Sequence, residues 1–129
     1  MATFVKFEDI DAWKRAHQAV ILVYKLSNSS ALNKDFALRD QMRRSAISIT
    51  SNIAEGHDRG TTKEFIYFLN VSKASCSELV SQVILAKDIE YITLEDFDKL
   101  YKELTEVGKM VGGLIKYLKT QIPSKPIRK

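Results

Sequence analysis

Apolar residues recur at steps of three and four along four successive stretches of the chain, which is the pattern of amphipathic helices. Short links rich in turn-forming residues separate these stretches, and short links make consecutive helices antiparallel neighbours. We therefore predict an all-α fold, an up-down-up-down antiparallel four-helix bundle over residues 1–120, followed by a basic tail, 121–129, that we expect to be disordered. The four predicted helices run from about 10 to 27, 35 to 55, 61 to 88, and 93 to just before Pro123.

The first two helices have apolar stripes from which a core can be predicted. In the first helix the stripe consists of Ile10, Trp13, His17, Val20 and Tyr24, widened by Val23 and Leu26. In the second it consists of Leu38, Met42, Ala46, Ile49 and Ile53. The pattern predicts that both stripes face the core, with His17 as a hydrogen-bonded core residue.

Residues at the helix ends support these boundaries. Thr61 precedes Glu64 by three residues, and Thr93 precedes Asp96 by three, so both threonines are expected to cap helices. Asp9 is expected to cap the first helix. Gly56 stands where a left-handed residue that ends the second helix is expected.

Three of the predicted helices lack the charged residues that a solvated helix face normally carries. Uncharged segments occupy 16–24 and 45–54, and two more lie on the third helix. Such helices are expected to be covered on more than one side. A homo-oligomer supplies that cover, because most soluble oligomers are symmetric assemblies of one chain. The alternative is a monomer with a somewhat apolar surface.

The segment 41–56, "QMRRSAISITSNIAEG", combines two arginines with small hydroxyl residues. Small side chains allow helices to approach closely, and their hydroxyls are expected to bond back to helix carbonyls. Asn52 is expected to bond to a neighbouring helix or subunit. Arg43, Arg44 and Glu55 fit either an ion-pair network across an interface or an anion-binding site. The spacing of Gly108 and Gly112 indicates a further close helix contact.

The net charge of +4 invites a nucleic-acid partner, but the excess lies in the tail. Four basic residues and no acid follow Leu118, so residues 1–118 contain 16 basic and 16 acidic side chains. Basic residues can still be grouped locally.

Candidate chemistry for catalysis is sparse. The lone Cys76 excludes an intramolecular disulfide, suits a reducing cytoplasm, and is expected to be a buried apolar residue. The histidines and acids show no metal-ligand spacing, so we expect no metal, no cofactor and no catalytic residues. The longest apolar runs are too short to span a membrane.

Three segments resemble a known family. "QMRRSAISITSNIAEG", the following "TTKEFIYFLNVSKASCSEL", and the N-terminal "FEDIDAWKRAHQAVILVYKLS" resemble the four-helix bundle proteins encoded in intervening sequences of bacterial 23S ribosomal RNA genes. The resemblance covers about residues 4 to 120. It implies a left-handed bundle that forms a homopentamer. It also implies kinship in shape with the accessory proteins of diversity-generating retroelements, basic pentamers that bind nucleic acid and a reverse transcriptase.

Two functional hypotheses follow. The first is a non-enzymatic oligomeric scaffold that binds RNA through grouped basic residues and the tail. Its candidate contacts are Arg39, Arg43, Arg44, Arg59 and Lys63. The alternative is a protein–protein interaction scaffold with no nucleic-acid role, in which the arginines hold the oligomer together. Asn52, Glu55 and Trp13 are the candidate interface or structural residues. A weaker hypothesis is an enzyme using Asn52 and Glu55 in a pocket between subunits.

Overall fold

The computed structural model, which describes residues 6–28 and 31–122, is built from four long helices. Each helix packs on its two neighbours in chain order, and α1 also packs on α4, which closes the bundle. No strand occurs in the described part of the chain, so the predicted all-α four-helix fold is confirmed. The helices are α1, Asp11–Asn28; α2, Phe36–Asp58; α3, Thr62–Asp88; and α4, Leu94–Lys119.

Side-chain caps fix the starts of three helices. The hydroxyls of Thr61 and Thr93 accept hydrogen bonds from the backbone N–H groups of Glu64 and Asp96, so both predicted caps are confirmed. Asp35 caps α2 and also accepts a 3.1 Å bond from the Tyr91 hydroxyl, which ties the α3–α4 turn to the start of α2. The prediction for Asp9 is wrong, because this residue ends a short 3₁₀ turn, Phe7–Asp9, and α1 begins at Asp11.

The core-facing side of α1 differs from the predicted stripe. Its buried apolar residues are Ala12, Ala16, Ala19, Val23 and Leu26. His17 is exposed, and Trp13, Val20 and Tyr24 are only half-buried. The prediction of His17 as a core residue is therefore wrong. Alanines at the contact let α1 pack closely, and its larger residues remain along the outer edge.

Gly56 has a different role from the one predicted. It lies inside α2 and is buried, and the left-handed glycine of this turn is Gly60, with φ of +88°. A Cβ on Gly56 would lie 2.8 Å from the Cβ of Phe68 and 3.0 Å from a ring carbon of Phe65. The glycine is thus needed for the close approach of α2 and α3. Because α2 packs against α3 at this point, α2 continues beyond Gly56 to Asp58.

Two remaining features concern membranes and the tail. No helix in residues 6–28 and 31–122 is long and apolar enough to cross a bilayer. Most of the predicted tail, 123–129, lies outside the described residues.

Candidate interaction surfaces

A line of hydroxyl groups joins α2 to α3. The Ser45 hydroxyl donates to Glu78 Oε1 at 3.0 Å, and the hydroxyls of Ser48 and Ser75 lie 2.7 Å apart. Deeper in the interface, Ser72 donates to the carbonyl of Ile49 at 2.8 Å. Ser45 and Ser48 therefore bond across to α3, whereas the sequence predicted that their hydroxyls bond back to carbonyls of their own helix. The small side chains allow the two helices to approach closely, and their hydroxyls also form the hydrogen bonds that buried polar groups need.

Asn52 and Glu55, two predicted interface residues, both find partners within a few residues of their own position. The Asn52 amide donates to the carbonyl of Ser48 at 2.7 Å and to its hydroxyl at 3.0 Å. Within the described residues Asn52 makes no hydrogen bond to another helix, and its bond to another subunit stays a prediction. Glu55 accepts a 2.9 Å bond from Arg59, one turn further along. The two residues do not form a shared catalytic pocket within this chain.

Arg43 anchors α2 to the end of α1. Its Nε donates to the Ser27 hydroxyl at 2.8 Å, one terminal nitrogen donates to Asn28 Oδ1 at 2.7 Å, and the guanidinium lies 4.6 Å from the centre of the Tyr24 ring. A cation at a helix C-terminus also interacts favourably with the helix dipole. This arginine is already engaged inside the chain.

Arg39 and Arg59 are also occupied. Arg39 pairs with Asp40 at 3.0 Å and donates to both oxygens of Asn33. Arg59 pairs with Glu55, lies 3.8 Å from a Glu64 oxygen, and stacks over a phenylalanine ring. Acidic partners neutralise much of the charge that either arginine could offer to a phosphate.

Arg44 and Lys63 are exposed and make no ion pair with another described residue. The five predicted contacts do not form one patch, because Arg39 and Arg59 lie at opposite ends of α2. Twenty helical residues separate them by roughly 30 Å.

The outer face formed by α1 and α2 has an uncharged strip, flanked by the exposed Lys14 and Arg44. His17, Ile47 and Ser51 are exposed along it, and Val20 is half-buried beside them. Ile21 borders this face on the side of the α1–α4 groove, which it lines with Arg15 and Lys25. Ile21 and Ile47 are 37% and 42% exposed. Trp13 lies at one end of this face as part of an aromatic row, 5.4 Å from the Phe7 ring and stacked on His17 at 4.7 Å. We call this surface the α1–α2 face.

The opposite face of the bundle, formed by α3 and α4, carries lysines that the sequence analysis did not select. Lys73, Lys109 and Lys116 are exposed, and none pairs with an acid in the described part of the chain. The sequence could have indicated this basic surface, because the seven-residue spacing of Lys109 and Lys116 places both side chains on one side of a helix.

No cluster of metal-ligating residues occurs within 6–28 and 31–122. Cys76 is buried, as predicted, and lies 3.4 Å from the carbonyl oxygen of Leu104. Burial raises the pKa of its thiol, which keeps the sulfur protonated and unreactive.

Comparison with known proteins gives a family and a fold. A family model described as "23S rRNA-intervening sequence protein" matches residues 8–113. A crystal structure from Bacteroides thetaiotaomicron VPI-5482, described as a protein with unknown function from the S23 ribosomal protein family, is similar to this chain at 27% identity and a TM-score of 0.74. The match covers 81% of this chain and 95% of that one. No curated protein matches. The chain belongs to the 23S rRNA-intervening sequence protein family.

Proposed function

We propose that this protein is a non-enzymatic helical scaffold that assembles with copies of itself through the α1–α2 face and presents basic surfaces to RNA in the cytoplasm. The observation that carries the proposal is the exposure of Ile47, beside the half-buried Val20 and Trp13, on an uncharged strip of this face. An exposed apolar surface rimmed by polar residues is typical of an interaction site. A pentamer is the assembly that the family resemblance implies.

Self-assembly strengthens the RNA hypothesis. Among the described basic residues selected from the sequence, the cations without an ion pair, Arg44 and Lys63, are scattered, because Arg39 and Arg59 are paired internally. A ring or cluster of identical copies repeats each weak contact, and multivalent binding raises the overall affinity without any new contact.

The assembly is tested by placing a charge on each of two opposite faces. Ile47 on α2 and Ile84 on α3 are 42% and 37% exposed, so they form a matched pair. We expect the wild-type protein to sediment as a multiple of the 14.7 kDa chain. Ile47→Glu should dissociate it because the carboxylate would be buried without a partner, whereas Ile84→Glu should leave it assembled. A wild-type monomer at micromolar and higher concentrations would contradict the proposal.

The alternative function is a protein–protein scaffold without a nucleic-acid role. The internal pairing of Arg39, Arg43 and Arg59 favours it, because side chains held by their own chain are poor contacts for phosphate. RNA binding at low salt distinguishes the two functions. An assembled protein that retains no RNA at low salt supports the alternative, since phosphate contacts are strongest there.

A further inference from the structure

Five lysines are exposed on the half of α3 and α4 that lies toward the α2–α3 turn. None of them forms an ion pair with another residue that the structure describes. These lysines are Lys63, Lys73, Lys109, Lys116 and Lys119. We call this surface the lysine face.

The register of the two helices brings these lysines to matching levels. Cys76 of α3 contacts the carbonyl of Leu104 of α4, and the helices run antiparallel. Counting from that contact, Lys73 lies level with residues 107 to 109, and Lys63 lies level with Lys116. The two levels are roughly 10–15 Å apart along the bundle, and neighbouring helix axes are about 8–10 Å apart. The lysines therefore outline a broad positive surface.

Acidic side chains near this surface are engaged elsewhere. Glu64 accepts a bond from the Thr61 hydroxyl and faces Arg59 on the α2 side. Glu106 lies on the α1 side of α4, where its charge raises the pKa of Arg15. No acid occurs in residues 107–122. The positive charge of the lysine face is thus not cancelled by its neighbours, in contrast to that of the arginines on α2.

The shape and composition of the face also suit a nucleic-acid strand. The close helix contact predicted at Gly108 and Gly112 does not form within the described part of the chain, since nothing lies within 4 Å of a Cβ built on either glycine. A ligand can therefore approach the α4 backbone closely. Tyr67, 63% exposed on α3, provides an aromatic ring beside the lysines. Aromatic rings stack on unpaired bases, and lysines follow the phosphates of the same strand.

We propose that the lysine face is the RNA-binding surface of this protein, holding the phosphate backbone of single-stranded RNA without regard to its sequence. This inference rests on the RNA-binding role proposed above and assigns it to α3 and α4. The arginines on α2 then serve the fold. The lysine face lies opposite the α1–α2 face, so assembly and RNA binding use different surfaces of the bundle.

The test measures binding of a fluorescently labelled single-stranded RNA of about 20 nucleotides by anisotropy, over a range of salt concentrations. The variant is Lys73→Ala/Lys109→Ala. The matched control, Lys34→Ala/Lys99→Ala, removes two exposed lysines that lie in the 3₁₀ turn Ala31–Lys34 and beside the α1–α4 groove. We expect the variant to lose about tenfold or more in affinity at low salt. The slope of log affinity against log salt should fall by about one to two, because each lost phosphate contact contributes roughly 0.7 for single strands.

The outcomes separate the inference from the proposed function. If the lysine-face variant binds as well as the wild type, or if the control loses as much affinity, the lysine face is not the binding surface, although the protein binds RNA. If Arg44→Ala alone removes binding, the site lies on α2. If the assembled wild type binds no RNA at low salt, the proposed function fails as well. Sedimentation and circular dichroism of each variant establish that assembly and folding are unchanged.

Discussion

The α2–α3 interface and the α1–α4 interface hold the same bundle together in different ways. Between α2 and α3, Gly56 and a row of serines allow close approach, and hydroxyls bridge the helices at 2.7–3.0 Å. Between α1 and α4, an open groove of about 370 Å³ remains, and Arg15 and Glu103 join the helices at its edge with a 2.6 Å ion pair. The first interface is closely packed, and the second leaves space that solvent reaches.

This difference indicates where substitutions matter. A closely packed interface resists any added atom, because neighbouring atoms have no room to move. A half-exposed ion pair such as Arg15–Glu103 contributes little, because water still solvates both charges when they separate. Stability should therefore depend more strongly on small residues of α2 and α3 than on the charged pair between α1 and α4.

The largest change in the free energy of unfolding is expected from Gly56→Ala. The new Cβ would lie 2.8 Å from the Cβ of Phe68, which cannot move without shifting α3. Overpacking of this kind costs about 1–3 kcal/mol, more than the roughly 1 kcal/mol that alanine gains over glycine in helix propensity. Gly113→Ala is the matched control, since nothing lies within 4 Å of its Cβ, and it should stabilise the protein. Urea unfolding measures both, and equal shifts in the two variants would contradict the close contact.

An intermediate effect is expected from the serine bridge. Ser75→Ala leaves the Ser48 hydroxyl without its 2.7 Å partner and should lower the free energy of unfolding by about 1 kcal/mol. Ser48→Ala/Ser75→Ala removes both partners, so its loss should be smaller than the sum of the two single losses. Ser81→Ala, at an exposed position of α3, is the control and should have little effect. Strict additivity in this double-mutant cycle would show that the bridge is not formed.

The smallest effect is expected from the α1–α4 ion pair, and it should depend on pH. The hydrogen bond from Arg15 lowers the pKa of Glu103, outweighing the burial that raises it. Because the folded pKa lies below the unfolded one, the pair stabilises the protein above the ordinary glutamate pKa of about 4.3, and this contribution is lost as the pH falls through the folded value. The free energy of unfolding, measured across that pH range, should fall less steeply toward acid pH in Glu103→Gln than in the wild type. An unchanged decline would exclude the contribution of this pair.

Local chemistry made several parts of the fold predictable. The hydroxyls of Thr61 and Thr93 cap α3 and α4 as their spacing indicates, because a cap depends on residues three positions apart in the chain. The core stripe of α2 was also predictable, because its large apolar residues alternate with small or polar ones. Met42, Ala46, Ile49 and Ile53 are all buried.

The interaction surfaces were less predictable. The basic residues selected from the sequence were chosen for their charge, whereas their availability depends on partners that only folding brings near. Arg43 meets Ser27 and Asn28 sixteen and fifteen residues away, and Arg59 meets Glu64 across a turn. Lys73 and Lys109 were not selected, because the antiparallel register of α3 and α4 is what brings them to one face.

The sequence by itself determined that there are four amphipathic helices, where three of them begin, and to which family the chain belongs, because these depend on short-range spacing and residue identity. The tertiary structure decided which side of α1 faces the core. Both its alanine stripe and its aromatic stripe have helical periodicity, and periodicity alone does not distinguish two apolar stripes on one helix. Burial between α2 and α4 selects the stripe that contains Ala12, Ala16 and Ala19 together with Val23 and Leu26, because this mostly small stripe fits between the two neighbouring helices. The larger residues of α1 are left on the outer face that we propose for self-assembly.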